Sequence, residues 1–324
     1  MRTWAGALFS FVILATSAQA QDWPARPVTM IVPYAAGGPV DTVGRIMAQG
    51  LSEVLGQQVI VENVGGAGGM TGATRVAKAM PDGYTFLLGG SATMTTVPAL
   101  YGKKTPYNPL TDFEHVIQFA DSARILIARK DFPANSLQEF VAYAKQNAEA
   151  LKYGSSGTGA GAHICALLLD QAMGVKITHV PYRGSGPAMN DLISGQVDYF
   201  CDTVSGGVPQ IQSGTVKGLA YFGKTRSSAL PDLPTAQEQG LAGFEAYTWN
   251  AVFAAKATPE PIVRRLNEAV IAALEDETVK ARLAQLGAQI VTPERRTPGY
   301  LAEFVKAEVQ KWAAPIKASG ARME

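Results

Sequence analysis

The stretch VTMIVPYAAGGPVDTVGRIMAQGL, Val28 to Leu51, passes from apolar alternation through a glycine pair to helical spacing. It reads as strand, glycine loop, helix. The same grammar returns at LKYGSSGTGAGAHICALLLDQAMGV, Leu151 to Val175. After the first copy come strand QVIVENV, loop GGAGGM, helix TGATRVAKAM, turn PDG, strand YTFLLGG and loop SATM. After the second come strand KITHVPY, loop RGSGPAM, helix NDLISG, strand VDYFCD and loop TVSGG. Each half is a β-α-β-α-β unit, which calls for a parallel sheet with right-handed crossovers.

Two such units predict an α/β protein of two lobes with a ligand cleft between them, because open α/β sheets bind ligands at the carboxyl ends of their strands. The competing arrangement is one long doubly wound sheet. The segments ARILIARKDFP (Ala123 to Pro133) and YTWNAVFAAKATP (Tyr247 to Pro259) flank the second unit and read as strands crossing between lobes. The expected division is residues 21–123 with 247–324 for the first lobe and 124–246 for the second. The tail reads as helices: Thr258 at an N-cap before Pro259, then Ile262, Leu266, Val270 and Leu274 at four-residue spacing. ETVKARLAQLG follows with Gly287 as a stop, then a short strand AQIV and a last helix ending near Trp312.

Arg2, an apolar run from Ala5 to Ala15 and the small-residue site Ala18-Gln19-Ala20 form a secretory signal pattern over residues 1–20. The run is too short for a retained spanning helix, so an exported chain starting near Gln21 is expected. Without Arg2, 27 basic residues balance 27 acidic ones. That leaves no basic excess for a nucleic-acid partner. Cys165 and Cys201 have two open readings, a disulfide or two buried small side chains.

The loops exclude several chemistries. Gly37-Gly38 has neither the three-glycine spacing nor the lysine of a nucleotide loop, and Gly157, Gly159 and Gly161 run as G-x-G-x-G. Gly154-Ser155-Ser156-Gly157-Thr158 is no nucleophile elbow. His115, His163 and His179 lack metal-ligand spacing, so neither metal nor cofactor is expected. An exported α/β hydrolase or transferase using Ser156 or Cys165 stands as the alternative to a binding protein.

A glycine-rich loop that opens a helix presents unpaired N–H groups and the positive end of the helix dipole, a site for an anion that needs no lysine. Ser155, Ser156 and Thr158 add hydroxyls. A few charge-assisted bonds of roughly 1.5–3 kcal/mol each reach the roughly 8 kcal/mol of micromolar binding. The loop is therefore expected to hold a carboxylate, with Gly38 and Gly159 as the positions where bulk would block its approach. Asp41 is expected to reach back to a loop N–H. The candidate ligand contacts are Tyr34, Ala36, Gly37, Gly38, Ser91, Thr93, Ser155, Ser156, Gly157, Thr158, Gly159, Ala160, His163, Tyr182, Arg183, Gly184, Asp202 and Thr203. Arg183 is the cation next to a loop and suits a second carboxylate.

Three motifs, Pro33 to Asp41, Glu62 to Gly69 and Pro81 to Thr85, resemble those of the extracytoplasmic solute-binding proteins of tripartite tricarboxylate transporters, the Bug family. YGSSGTGAGAH, VPYRGSGPAMNDLISGQVD and TPEPIVRRLNEAV extend the resemblance over nearly the whole mature chain. It implies a two-lobed periplasmic binding protein that closes on a small organic carboxylate and delivers it to membrane transporter subunits, with a monomer as the working unit. It also implies that the loops Tyr34 to Val40 and Ser155 to Gly161 pinch one carboxylate through backbone N–H groups. The sequence departs from the family at Ala36, where proline is frequent, at Arg183, where lysine is usual, and at Val64-Gly65, which replace a common Arg-Pro. The last pair is expected in a loop away from the carboxylate.

Overall fold

A computed structural model describes residues 23–318. The signal segment expected at residues 1–20 lies outside them. The first lobe begins with β1 (Val28–Val32), α1 (Pro39–Leu55), β2 (Val59–Asn63), α2 (Met70–Ala77), β3 (Thr85–Gly90) and α3 (Val97–Tyr101). Strand β4 (Phe113–Arg129) leads to α4 (Leu137–Asn147), β5 (Lys152–Ser155), α5 (Gly161–Met173), β6 (Thr178–Pro181), α6 (Ser185–Ile193), β7 (Tyr199–Thr203), α7 (Val204–Gln212) and β8 (Val216–Tyr221). The chain returns through β9 (Tyr247–Ala255) to α8 (Glu260–Glu275), α9 (Glu277–Gln285), β10 (Gln289–Ile290) and α10 (Pro298–Ala318).

The repeat read from the sequence is present in the strand order. In one sheet β2 and β3 pair parallel on either side of β1, and in the other β6 and β7 pair parallel on either side of β5. Eight strands nevertheless share one hydrogen-bonded path, β2-β1-β3-β9-β4-β7-β5-β6, and β8 and β10 join it by pairing with β4. The reason is β4, which belongs to both sheets. Residues 113–123 pair antiparallel with β9, and Asp121 and Ala120 with β10. From Arg124 onward the neighbours are β7 and β8 instead.

Each sheet is covered on both faces, as its near-continuous apolar strands require. In the first lobe Met30, Phe86 and Phe119 pack under Met47, Leu266 and Leu274, while Ile31, Leu87 and Phe253 pack on Val76, Leu301 and Val305 of the opposite face. The second lobe is built alike, with Tyr153, Tyr199 and Phe140 on one face and Ile125, Phe200 and Leu192 on the other. Cys165 and Cys201 are free thiols buried in the first of these cores.

Several elements begin earlier or run further than the sequence pattern predicts. The stretches read as loops SATM and TVSGG are a π-helical turn (Ala92–Thr96) and the start of α7. Helix α6 starts at Ser185, with Pro187 in its first turn, where a missing N–H costs nothing. Pro259 rather than Thr258 precedes α8, and α10 continues past Trp312 to Ala318.

Candidate functional site

The loop after β1 is held by one carboxylate. Asp41 Oδ2 accepts from the Gly37 N–H at 2.9 Å and from Arg45 Nε at 3.0 Å, and its Oδ1 accepts from Asn63 at 2.9 Å. Side-chain and backbone donors, with the Arg45 charge, hold the Asp41 carboxyl below the usual range against the opposing effect of burial. With the loop fixed, Gly38 caps α1 and Pro39 opens it.

The lobes meet across a narrow cleft that encloses about 50 Å³. Hydrogen bonds cross between them, among them one from the Ala35 N–H to the Arg183 carbonyl at 3.1 Å and one from Thr96 Oγ1 to the Gly159 carbonyl at 2.7 Å. Among the sequence-predicted residues, Tyr34, Gly38, Ser91, Ser156, Asp202 and Thr203 line this cleft. Ala36 and Gly37 form the exposed tip of their loop. Thr93 is buried, with its hydroxyl on the backbone of Gly90. Gly184 caps α6 and packs on the backbone of Ala35. Gly157 and Thr158 line an outer groove with Tyr182 and Arg183; the Tyr182 hydroxyl donates to Asp191, and Arg183 is exposed.

Ser155, Gly159, Ala160 and His163 lie in or behind the second-lobe loop. Ser155 Oγ accepts from the Gly157 N–H at 3.1 Å and shares a hydrogen bond of 2.6 Å with His179 Nε2, in which either atom can donate. His163 Nδ1 accepts from the Gly159 N–H at 3.0 Å, and Ala160 caps α5. The two imidazoles stack at 4.1 Å, with Tyr153 on His179. Burial pushes His163 down to about 4, and burial together with the neighbouring His163 pushes His179 down to about 3. Both rings therefore stay neutral, and for His163 the acceptor role of Nδ1 requires it. Nitrogen-15 spectra should show both rings unprotonated from pH 7.5 to 5.5. A titration midpoint near 6.5 in either ring would contradict this network.

The loop 64–69 contributes no residue to the lining of the cleft, but it abuts the second lobe. A Cβ on Gly65 would come 2.9 Å from the Arg183 carbonyl, and one on Gly68 would come 2.6 Å from the Thr158 carbonyl. A Cβ on Gly38 meets its nearest neighbour, the Gly186 N, at 3.5 Å, an ordinary contact. Tight backbone approaches between the lobes are at Gly65, Gly68, Gly157 and Gly184.

The cleft also holds residues that sequence reasoning missed: Ser122, Arg124, Ser185, Ser205, Thr248, Trp249 and Asn250. Ser185 Oγ donates to Asp202 Oδ1 at 3.1 Å and the Thr203 N–H donates to it at 2.8 Å. Burial pushes Asp202 up to about 6, with these donors and Arg124 pulling the other way. Burial also raises the Tyr34 phenol to about 12, keeping it neutral; it donates to the Gly68 carbonyl at 3.2 Å. Among the described residues no His, Cys, Asp and Glu side chains cluster as a metal site. Among the described residues no base is hydrogen-bonded to Ser156, which lines the cleft, and Cys165 is buried away from it. No described helix is long and apolar enough to cross a membrane.

Residues 43–321 match the family described as tripartite tricarboxylate transporter family receptor. The UPF0065 protein of the TAR-I ttuE-ttuC' intergenic region of Agrobacterium vitis is 45% identical over 97% of this chain and 90% of its own. BugT of Bordetella pertussis is 34% identical over 96% and 94%. The periplasmic binding protein BugD superposes with a TM-score of 0.90 at 42% identity, covering 93% of this chain and all of that one. MatC from Rhodopseudomonas palustris, solved with bound malate, gives 0.87 at 41% identity over 91% of this chain and all of its own. This chain belongs to the receptor family of tripartite tricarboxylate transporters, whose members are solute-binding proteins and not enzymes.

Proposed function

We propose that the protein captures a small organic carboxylate in the interlobe cleft and delivers it, as a periplasmic monomer, to the membrane subunits of a tripartite tricarboxylate-type transporter. The observation that carries the carboxylate is the convergence of four helix starts on one cleft. Gly38 and Pro39 open α1, Gly161 opens α5, Ser185 opens α6, and Thr203 precedes α7; all five residues line it. Each start contributes unpaired N–H groups and about half a positive charge, so their sum favours an anion. The malate of MatC and the adipate of its relative Rpa4515 from R. palustris, 35% identical over 93% of this chain, support the same class. Export with removal of residues 1–20 is supported by Arg2, the apolar run and the Ala18-Gln19-Ala20 site. The lobe limits we adopt are 123/124 and 246/247, supported by the change of β4 neighbours at Arg124.

Thermal shift with mono-, di- and tricarboxylates, amino acids, nicotinate and benzoate-type acids tests the reading. A true ligand at a hundred times its Kd should stabilise the protein by roughly 2.7 kcal/mol and be recovered unconsumed. A panel in which no carboxylate raises the melting temperature would reject it.

A further inference from the structure

Arg124 is 6% exposed, begins the second-lobe part of β4 and lines the cleft. A guanidinium carries five N–H donors. Here Nη1 donates to the Cys201 carbonyl at 3.3 Å, and no ion pair is made among the described residues. The Nη2 end lies against Gly161, where any Cβ would overlap it. Gly161 is the first residue of the 13-residue α5, so a buried cation and the positive end of a helix dipole converge on one spot. Asp202 lies within electrostatic reach of Arg124, and an anion joining the guanidinium at the helix start would offset more of the cost of burying it.

Asp202, 1% exposed, lines the same cleft. Its Oδ1 is taken by Ser185 and the Thr203 N–H, whereas its Oδ2 has no partner among the described residues. That oxygen lies over the first turn of α7 against Gly206, whose missing Cβ leaves it room. Ser122 Oγ and Trp249 Nε1 are two further buried polar atoms of the cleft without partners. A buried acceptor left unpaired costs about 1–3 kcal/mol, so a ligand that supplies a donor at Asp202 gains over one that does not.

We propose that Arg124 is the specificity-determining cation of the cleft, holding a ligand carboxylate together with the α5 N-terminus, while Asp202 Oδ2 accepts a hydrogen bond from a hydroxyl or ammonium on the same ligand. The ligand class is then a hydroxy- or amino-carboxylate in preference to the plain acid of equal length. The inference rests on the carboxylate reading above and narrows it.

Calorimetry with three matched sets tests it: propionate, lactate and alanine; succinate, malate and aspartate; glutarate, 2-hydroxyglutarate and glutamate. In any set that binds, the hydroxy or the amino acid should bind wild type at least tenfold tighter than the plain acid, and which of the two does so identifies the donor. Arg124→Gln should weaken every ligand at least a hundredfold, and Arg124→Lys should recover only part, since it keeps the charge but loses the fork. Asp202→Asn should shrink the preference for the donor-bearing acid below threefold while the plain acid changes little. Wild-type affinity in a folded Arg124→Gln protein, or an undiminished preference in Asp202→Asn, overturns the inference. Should Arg124→Gln fail to fold, Arg124→Lys and Asp202→Asn decide it. Binding of none of the nine acids also overturns it, and the wider thermal-shift panel then shows whether the carboxylate reading falls as well.

Discussion

Gly68→Ala is expected to leave both lobes folded and to weaken ligand binding at least a hundredfold. Gly68 sits at φ +65°, where its own Cα approaches Gly157 of the other lobe. A Cβ at Gly68 would stand 2.6 Å from the Thr158 carbonyl, 2.9 Å from Val97 Cγ2 and 3.2 Å from the Ala160 N. Two of these three atoms belong to backbone of the second lobe, which cannot rotate away as a side chain can. With the lobes apart those two contacts vanish, leaving the crowding against Val97 and a left-handed conformation that costs a non-glycine residue roughly 1–2 kcal/mol. The substitution therefore acts mainly on closure, the hinge motion by which two-lobed binding proteins enclose a ligand. Calorimetry should give the hundredfold loss, about 2.7 kcal/mol. Small-angle scattering with saturating wild-type ligand should show the variant keeping its larger radius of gyration. Unchanged affinity would mean that the loops need not meet for binding.

Gly90→Ala acts on the fold itself. Gly90 ends β3 opposite Asn250 of β9, and a Cβ there would overlap the Trp249 carbonyl oxygen. The atom in the way is again backbone, here within one sheet, so no domain motion relieves it. Either the β3–β9 pairing parts at the cleft rim or the whole strand shifts. We expect a loss of about 3 kcal/mol or more, at the upper end of overpacking penalties. Urea unfolding should show a lower midpoint with little change in slope. A midpoint equal to that of wild type would show that the rim of the sheet yields freely.

Features set by neighbours close in the chain were legible in the sequence. Asp41 is one, since the Gly37 N–H it accepts lies four residues away and the spacing alone points to it. The two strand–loop–helix units are another, because strands covered on both faces must be apolar throughout. Features set by distant chain were not. Arg124 stands in SARILIAR among buried apolar residues, and its acceptor Cys201 is 77 positions on. Arg183, beside a glycine loop, carried the stronger local signal and faces solvent. The crossing strand read from Ala123 starts earlier, at Phe113, because Asp121 and Ser122 pair with Trp249 and Thr248 of the distant β9. Helix α7 was hidden by Gly206 and Gly207, poor helix formers that are required here: a Cβ on either would overlap Asp202 or Ile125.

Strand β9 lies between β3 and β4, and this placement sets the order in which the molecule matures during synthesis. The chain emerges from its N-terminus, so β1, β2 and β3 appear early and β3 then waits with an unpaired edge. The second sheet receives its last strand at Tyr221. The first sheet lacks its inner strand until residues 247–255 emerge. The lobe begun later is thus complete in strands before the lobe begun earlier. Through that interval the bare edge of β3 and residues 113–123 of β4, which also await β9, are open to pairing with a stranger.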